Sequence, residues 1–250
     1  MRRLAAALSV ALATTASAED LRIGVAPFFP PFIEPAQSNG GWTGYDAEVM
    51  ARVCDIGGFD CIYETMPVQA LFDALEAGEV DVILGGLGVS AERARRVDFL
   101  CPHWEVEGEA YLWAVDPRVS LRNGRIGTTR GTLFEGVLRE EGIEATLYAT
   151  IDDALAGLAA GEIDGILWGG GAMRIGAGYG LSLIETDTID TPSGGVAFAV
   201  TKGEEALRSR LNAALAELSS SGELSRLQVF WMGADQGDVI ARCSRWDALS

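Results

Sequence analysis

The stretch Leu75–Arg96, LEAGEVDVILGGLGVSAERARR, predicts a helix end, a buried strand, a glycine-rich loop and a second short helix. Gly78 is a natural C-terminal stop for the first helix, and Val80–Leu84 is an apolar run typical of a strand buried on both faces. Ser90 is a candidate N-cap for the helix that begins at Ala91. This order of elements predicts an α/β fold.

The glycine-rich loop of this stretch is a candidate anion-binding site. Gly85, Gly86 and Gly88 leave backbone N–H groups unshielded by side chains. A loop of this kind, at the carboxyl end of a strand, can present such groups to an anion. Arg93, in the first turn of the next helix, adds a planar guanidinium that suits a carboxylate. The alternative is a plain turn beside a surface arginine, and the local pattern alone leaves it open.

The segment recurs once in the chain. Leu75–Gly86, LEAGEVDVILGG, is echoed by Leu158–Gly169, LAAGEIDGILWG. Two copies predict two similar α/β lobes, each with a strand that ends in glycine. Ligands of open α/β sheets sit beyond the carboxyl ends of the strands. We therefore expect the two strand ends to face each other across a cleft.

Composition limits the classes of partner. The chain has 250 residues, of which 48% are hydrophobic and 22% charged, which fits a globular protein of one large or two small domains. Its formal net charge of −17 argues against nucleic acid and against anionic membranes as partners. A small anionic ligand remains compatible with that charge, because a local arginine and helix ends set the field in a pocket.

Residues 1–18 are predicted to be a cleaved signal peptide. A positive n-region precedes the apolar run Leu4–Ala13, and Ala16–Ala18 has the small-residue pattern of a cleavage site. The apolar run is too short to span a membrane as a stable helix. Cleavage after Ala18 would start the mature, exported chain at Glu19.

Export makes disulfides possible. Cys54 ends a helix pattern and Cys61 lies in the next strand pattern, after a short turn, so we predict a bridge between them. Cys101 and Cys243 are then left, either bridged or free. With one histidine in the chain and no paired C-x-x-C spacing, neither a metal site nor a cofactor is expected.

The rest of the chain alternates between strand and helix patterns, which predicts mainly parallel sheets. After the strand Leu21–Val25 comes a proline-broken aromatic loop, in which Phe29 is either a ligand contact or a core cap. The pattern restarts at Arg125, and Gly131–Thr132 opens a helix as a second candidate anion site. Two lobes joined by two crossing strands predict a hinge that closes on a ligand. The predicted division is lobe I over 19–112 and 198–250, and lobe II over 113–197.

Several motifs of the mature chain are weak alone and specific together: LRIGVAPFFPPF (21–32), GYD (44–46), AGEVD (77–81), SAERARRVDF (90–99), GEID (161–164), GVAFAVTKG (195–203) and FWMG (230–233). Over Leu21 to about Gly233 the chain resembles the periplasmic solute-binding proteins of the amino-acid family. The resemblance implies the type II fold, with two α/β lobes, helices flanking mainly parallel sheets, and a two-strand hinge. It also implies a periplasmic monomer that captures a small carboxylate-bearing solute, an amino acid or similar, for an ABC permease. Some members carry a disulfide at the positions of Cys54 and Cys61.

The resemblance assigns roles to single residues. Arg93 would grip the ligand carboxylate, helped by the backbone near Ser90 and by the helix start at Thr132. Phe29 would pack on the body of the ligand. The complete set of candidate ligand-binding residues is Phe29, Gly86, Gly88, Ser90, Arg93, Gly131, Thr132 and Gly169.

Three positions depart from the family pattern. Gly169 stands where many members carry an aspartate that pairs with the ligand ammonium, Gly88 where serine or threonine is frequent, and Ala26 where some place an acid. An unpaired buried ammonium is costly. Either another acid reaches the ligand, for which Asp46 and Glu135 are poor candidates, or the ligand is no standard α-amino acid. A small carboxylate with an apolar or aromatic body would suit the second possibility.

Two alternatives to a transport role stay open. Periplasmic dehydratases that act on cyclohexadienyl carboxylates, such as prephenate or arogenate, share this fold and need a general acid. His103, with Glu105 and Glu107 nearby, is the only histidine, and we expect it at the hinge side or on the surface rather than in catalysis. The other alternative is a module that presents a ligand signal to a membrane partner.

Overall fold

The computed structural model describes residues 18–37, 40–106 and 108–245. Residues 1–17 of the predicted signal peptide, Glu107 and the last five residues of predicted lobe I therefore lie outside the described residues. Within the described part of the chain, no helix combines the length and the apolar character that a membrane span needs.

Short strands and helices alternate along the described chain. The strands are β1 Glu19–Val25, β2 Glu34–Pro35, β3 Trp42–Thr43, β4 Phe59–Thr65, β5 Val82–Leu84, β6 Val97–Phe99, β7 Trp104–Glu105, β8 Glu109–Ala114, β9 Ile126–Thr129, β10 Ala145–Tyr148, β11 Gly165–Trp168, β12 Ile184–Asp190, β13 Gly195–Val196 and β14 Ala199–Thr201. The helices are α1 Tyr45–Gly57, α2 Val68–Glu76, α3 Ala91–Ala94, α4 Leu133–Glu140, α5 Ile151–Ala159, α6 Ala172–Gly176, α7 Glu205–Ser220 and α8 Glu223–Met232. Short 3-10 helices cover Ala177–Tyr179 and Ile240–Arg245.

The first lobe is built on a sheet with the strand order β4-β1-β5-β14-β6. β1 runs parallel to β4 and β5, whereas β14 runs antiparallel to β5 and β6. Four strands thus share one direction, as the α/β pattern predicts. The core of this lobe contains Met50 of α1, Leu71 of α2, Ile83 of β5 and Leu215 of α7, all fully buried.

The second lobe repeats this arrangement with the order β10-β9-β11-β8-β12. β9 is parallel to β10 and β11, and β8 is antiparallel to β11 and β12. The echoed segment forms α5 and β11, which occupy the places that α2 and β5 hold in the first lobe. The prediction of two similar lobes is therefore confirmed. The sequence pattern missed β12, whose mostly exposed, polar side chains lack an apolar alternation.

The repeat also reproduces a hydrogen-bond pattern. The Asp81 carboxylate accepts from the backbone N–H of Arg22 at 2.8 Å and from its guanidinium at 2.7 Å. In the second lobe, Asp164 accepts from the backbone N–H and guanidinium of Arg125 at 2.8 and 2.7 Å. The aspartate that follows each glycine turn thus fastens the start of the buried strand to the neighbouring strand.

Two chain segments connect the lobes. β7 pairs antiparallel with β13, and this small two-stranded sheet is the predicted hinge. The motif GVAFAVTKG is divided between the hinge and the first sheet, as β13 and β14. β8 belongs to the second sheet from Glu109 onward, so strand membership assigns residues 109–112 to lobe II rather than to lobe I.

Two disulfides hold the first lobe. Cys54, in α1, is bridged to Cys61 in β4, as predicted. Cys101 is bridged to Cys243, a pairing that the sequence left open. The second bridge fastens the C-terminal 3-10 segment to the chain that leads into the hinge. Arg242 adds an ion pair with Glu105 of β7 at 2.9 Å.

Candidate functional site

A cleft of about 650 Å³ lies between the lobes. The first lobe contributes the aromatic loop and the glycine loop, the second lobe contributes the start of α4 and the end of β11, and the hinge contributes β7. The candidate ligand residues that line the cleft are Phe29, Gly86, Gly88, Arg93, Thr132 and Gly169. Ser90 and Gly131 are not among the lining residues, although both contact Arg93.

Arg93 is the cation of the cleft. Its guanidinium donates to the carbonyl oxygens of Gly88 at 3.0 Å and Gly131 at 3.1 Å, and it lies 5.2 Å from the centre of the Phe72 ring. Among the described residues, no carboxylate lies within ion-pair distance of it. Burial without an acidic partner lowers the pKa of Arg93 from its ordinary value. An arginine held in this way is an anion-binding group that the protein itself does not neutralise.

The N-cap of α3 orients this arginine. The Ser90 hydroxyl accepts from the backbone N–H of Arg93 at 3.3 Å, and Ser90 is buried. The side chain of Ser90 is therefore a cap, as its sequence context predicts. Its backbone N–H has no acceptor among the described residues.

The corresponding cap in the second lobe is Thr132. Its hydroxyl accepts from the N–H of Glu135 at 3.4 Å and donates to the carbonyl oxygen of Thr129 at 2.7 Å. The Glu135 carboxylate accepts from the N–H of Gly131 at 2.7 Å. The Glu135 carboxylate is thereby engaged by the backbone just before α4. The N–H of Thr132 has no acceptor in the described part of the structure.

The glycine loop differs from its predicted role in one respect. The N–H groups of Gly85 and Gly86 donate to one oxygen of Asp46, at 3.1 and 2.7 Å, so neither is free for a ligand. The expectation that the Gly86 N–H is left free for an anion is therefore wrong, because a buried carboxylate from α1 accepts it, whereas the role of Gly86 as a ligand-binding residue stays a prediction. Gly86 instead makes room for Phe29, since a Cβ at this position would lie 2.6 Å from the ring. The N–H of Gly88 has no acceptor among the described residues.

Aromatic rings close the cleft from both lobes. Phe29 lies 4.6 Å, centre to centre, from Trp168 at the end of β11, and Trp168 lies 5.2 Å from Phe134 of α4. Phe29 thus lines the cleft as predicted and also bridges the lobes. Sequence reasoning missed Trp168 as a site residue. The available signal was its position in the repeat, where the first copy has Gly85 and the second has tryptophan.

The lobes also touch through glycines. A Cβ on Gly131 would lie 2.9 Å from the backbone nitrogen of Gln69, and one on Gly171 would lie 2.9 Å from the carbonyl oxygen of Pro30. A Cβ on Gly88 would collide with Leu133 of α4. These close approaches place the two lobes in contact around the cleft.

Gly169 has room for a side chain. Its carbonyl oxygen accepts from Nε1 of Trp113 at 3.1 Å. The nearest atom to an added Cβ is Cζ of Phe134 at 3.9 Å, and the backbone does not adopt a positive φ. Neither packing nor backbone conformation therefore requires glycine at this position.

Two described carboxylates line the cleft, and one of them is paired with a cation. Asp46 is fully buried and does not line the cleft. Glu105 lines the cleft and is paired with Arg242. Glu109 also lines it, is exposed, and accepts weakly from Tyr111 Oη at 3.4 Å. Of the described carboxylates that line the cleft, Glu109 has no cationic partner.

His103 is neither on the surface nor in the cleft. It is fully buried beside the hinge, and its Nε2 lies 2.8 Å from Oδ1 of Asp46. The surface position considered from sequence is therefore wrong, whereas the hinge-side position is correct. A general acid has to reach the substrate, and His103 does not line the cleft.

A hinged pair of lobes around a partly charged, aromatic cleft defines a two-lobed binding protein. The chain belongs to the bacterial extracellular solute-binding proteins, family 3, whose family model matches residues 21–234. It is 27% identical over 240 residues to the L-arginine-binding protein of Pseudomonas aeruginosa, covering 90% of this chain and 92% of the relative. It is 25% identical over 249 residues to the histidine-binding periplasmic protein of Escherichia coli, with 91% and 95% covered.

Solved structures show the same architecture. A periplasmic binding protein of Salmonella typhimurium with high arginine specificity superposes with a TM-score of 0.78 at 20% identity, covering 86% of this chain and 99% of that one. A histidine kinase sensor domain with similarity to periplasmic binding proteins superposes with a TM-score of 0.73 at 25% identity, covering 87% and 97%. The same fold thus occurs in a periplasmic binding protein and in a kinase sensor domain.

Proposed function

We propose that the protein captures a small carboxylate-bearing solute, an amino acid or a similar compound, between its lobes and delivers it to an ABC permease. The observation that carries the proposal is the guanidinium of Arg93, which lies in the cleft without a carboxylate partner among the described residues. The family membership supports the role, and the names of the relatives support an amino-acid-like ligand. The protein acts as a periplasmic monomer with a leader cleaved after Ala18.

Binding proceeds by docking and closure. With the cleft open, the ligand carboxylate binds Arg93 and the N–H of Gly88, which has no acceptor among the described residues. Rotation about the hinge then brings the start of α4 at Thr132 and the segment 169–171 over the ligand. Closure removes water, and the ion pair with Arg93 strengthens because the local dielectric falls. The permease recognises the closed form.

The chemistry of the cleft favours a carboxylate with an apolar or aromatic body. Gly169 offers no acid to an α-ammonium, and both Asp46 and Glu135 are engaged with backbone N–H groups. An α-amino acid would have to use Glu109 instead. Phe29 supplies an apolar surface to the cleft that Arg93 also lines, which suits a flat or branched hydrocarbon group.

A thermal-shift screen of residues 19–250 tests the proposal. The panel contains L-arginine, L-histidine, other amino acids, keto and hydroxy acids, and aromatic carboxylates. A ligand at 100 times its dissociation constant stabilises the native state by about 2.7 kcal/mol, a readable shift. We expect the largest shifts with carboxylates that lack an ammonium. Tight binding of ordinary α-amino acids alone would contradict this ligand class but not the transport role.

Ligand sensing is the second candidate function, favoured by the similarity to a kinase sensor domain. It predicts the same ligand binding but genetic dependence on a membrane receptor rather than on a permease. Deletion of either partner, with solute uptake and transcription as readouts, separates the two. We propose no catalytic role, because the single histidine is buried away from the cleft. Turnover of prephenate or arogenate by the pure protein would overturn that view.

A further inference from the structure

A buried pair, Asp46 and His103, joins the wall of the cleft to the hinge. Asp46 is the second residue of α1, and His103 immediately precedes the hinge strand β7. Both side chains are fully buried, and Nε2 of His103 lies 2.8 Å from Oδ1 of Asp46. The two residues are 57 positions apart in sequence, so the contact ties together distant parts of the chain.

The other oxygen of Asp46 holds the glycine loop. Oδ2 accepts from the N–H groups of Gly85 and Gly86, at 3.1 and 2.7 Å. The backbone of the same helix start holds the aromatic loop, because the N–H of Asp46 donates to the carbonyl oxygen of Phe32 at 2.9 Å. Both walls that the first lobe contributes to the cleft therefore depend on one helix start.

His103 is held from the hinge side by its backbone. Its N–H donates to the carbonyl oxygen of Val196 in β13 at 3.0 Å. Its carbonyl oxygen accepts from the Tyr45 hydroxyl at 2.6 Å and from the Gln228 amide at 3.3 Å. The imidazole packs 4.3 Å from the ring of Phe198, centre to centre. The position of this imidazole is thus set by the two chain segments that cross between the lobes.

Hydrogen bonds satisfy the buried side chains of Asp46 and His103 when the two residues are linked. A buried carboxylate is stable only with donors on its oxygens. Asp46 has three, namely the two glycine N–H groups and the His103 ring. Nδ1 of His103 has no partner among the described residues, so the neutral tautomer with its proton on Nε2 leaves no buried donor unsatisfied. In that state His103 donates and Asp46 accepts.

We propose that Asp46 and His103 are positioning residues that keep the glycine loop at a fixed position relative to the hinge. Through them, the loop that presents Gly88 and Arg93 to the ligand keeps a fixed orientation to β7 while the lobes open and close. The inference rests on the proposed function, since it takes the cleft as the ligand site. Neither residue touches the ligand.

Hydrogen exchange of single amides in the ligand-free protein tests this link, so its result does not depend on the identity of the ligand. In Asp46→Ala, the amides of Gly85 and Gly86 should exchange about tenfold faster, the effect of losing one hydrogen bond. The His103 amide should also become faster, because the loss of Asp46 releases the imidazole. Amides in β10, in the sheet of the second lobe, should follow only the change in global stability.

Variants of His103 supply a conservative rescue. His103→Leu removes the donor and should accelerate exchange at Gly85 and Gly86, which His103 does not contact. His103→Gln keeps an N–H donor and should restore slow exchange at both. This comparison also decides the question if Asp46→Ala fails to fold.

Asp81→Ala is the matched control. Asp81 also accepts a backbone N–H within the same lobe, but its partner is Arg22 rather than the glycine loop. Its substitution should accelerate the Arg22 amide and leave Gly85 and Gly86 unchanged. The proposal is overturned if the two glycine amides keep wild-type rates in Asp46→Ala, or if Leu and Gln at position 103 behave alike. Failure of the thermal-shift screen, by contrast, would reject the transport proposal alone.

Discussion

The guanidinium of Arg93, in the first lobe, donates to the carbonyl oxygen of Gly131, in the second lobe, at 3.1 Å. The same group donates to Gly88 of its own lobe at 3.0 Å. The Arg93 guanidinium therefore donates hydrogen bonds to uncharged carbonyl oxygens of both lobes. A carboxylate is a stronger acceptor than a carbonyl group, so a ligand can bind Arg93 while the lobes remain joined through it.

Arg93→Ala should abolish carboxylate binding, because it removes the charged partner of a buried ion pair, a loss of about 3–5 kcal/mol. The measurement is isothermal titration with the carboxylate that gives the largest thermal shift in the panel. Arg96→Ala is a matched control: Arg96 flanks the same Phe72 ring at 5.6 Å but is paired with Asp73 and Glu76. It should bind like the wild type. Normal affinity in Arg93→Ala would remove Arg93 from the site.

Gly169→Asp should create a site for an ammonium group. The position accepts a side chain without a close contact or backbone strain, and the added carboxylate would project beside Phe134. We expect the affinity for L-arginine and L-histidine to rise at least about tenfold, the effect of one charge-assisted hydrogen bond. Gly170→Asp is the control, since a Cβ added at Gly170 also has open space. Equal gains in both variants would show that added charge, rather than its position, is responsible.

The two disulfides should differ in their contribution to stability. Cys101 and Cys243 are 142 residues apart, and Cys54 and Cys61 are 7 apart. In the chain-entropy account, closing these loops is worth about 5 and about 2 kcal/mol, respectively. Urea unfolding of the double alanine variants of each pair, under non-reducing conditions, measures both. An equal or reversed order would show that local contacts outweigh the loop entropy.

Asp164 should make stability depend on pH in the acid range. Hydrogen bonds from the Arg125 guanidinium and backbone lower the pKa of Asp164 from 3.8 to about 2. Because the unfolded chain binds the proton more tightly, this stabilisation is present above the ordinary pKa and disappears as pH falls through about 2. Solvent exposure keeps it below about 1 kcal/mol.

The check is the difference in unfolding free energy between the wild type and Asp164→Asn from pH 6 down to the acid limit. The difference should be largest at neutral pH and shrink as the solution is acidified. Asp60→Asn, at an exposed carboxylate without an ion pair among the described residues, should show no such trend. A difference that grows on acidification would have the wrong sign.

Local sequence patterns were sufficient for the two-lobe architecture. Three features depend on residues only a few positions apart, so the sequence predicts them directly. They are the repeated helix-turn-strand segment, the strand that ends in glycine and the cap at Ser90. The glycine loop before Arg93 made this arginine a candidate, and the resemblance to the family, rather than the local pattern, favoured it over a surface arginine. The bridge between Cys54 and Cys61 spans one turn and belongs to the same category.

Tertiary contacts decided which groups the cleft offers to a ligand. Asp46 takes the amides of Gly85 and Gly86, and Trp168 meets Phe29 from the opposite lobe; both contacts join residues far apart in sequence. The burial of His103 and the pairing of Cys101 with Cys243 are of the same kind. Periodicity and capping act over a few residues, and the sequence alone determined the features that depend on them. Satisfaction of buried polar groups acts through space, so only the folded chain determines which donors remain free.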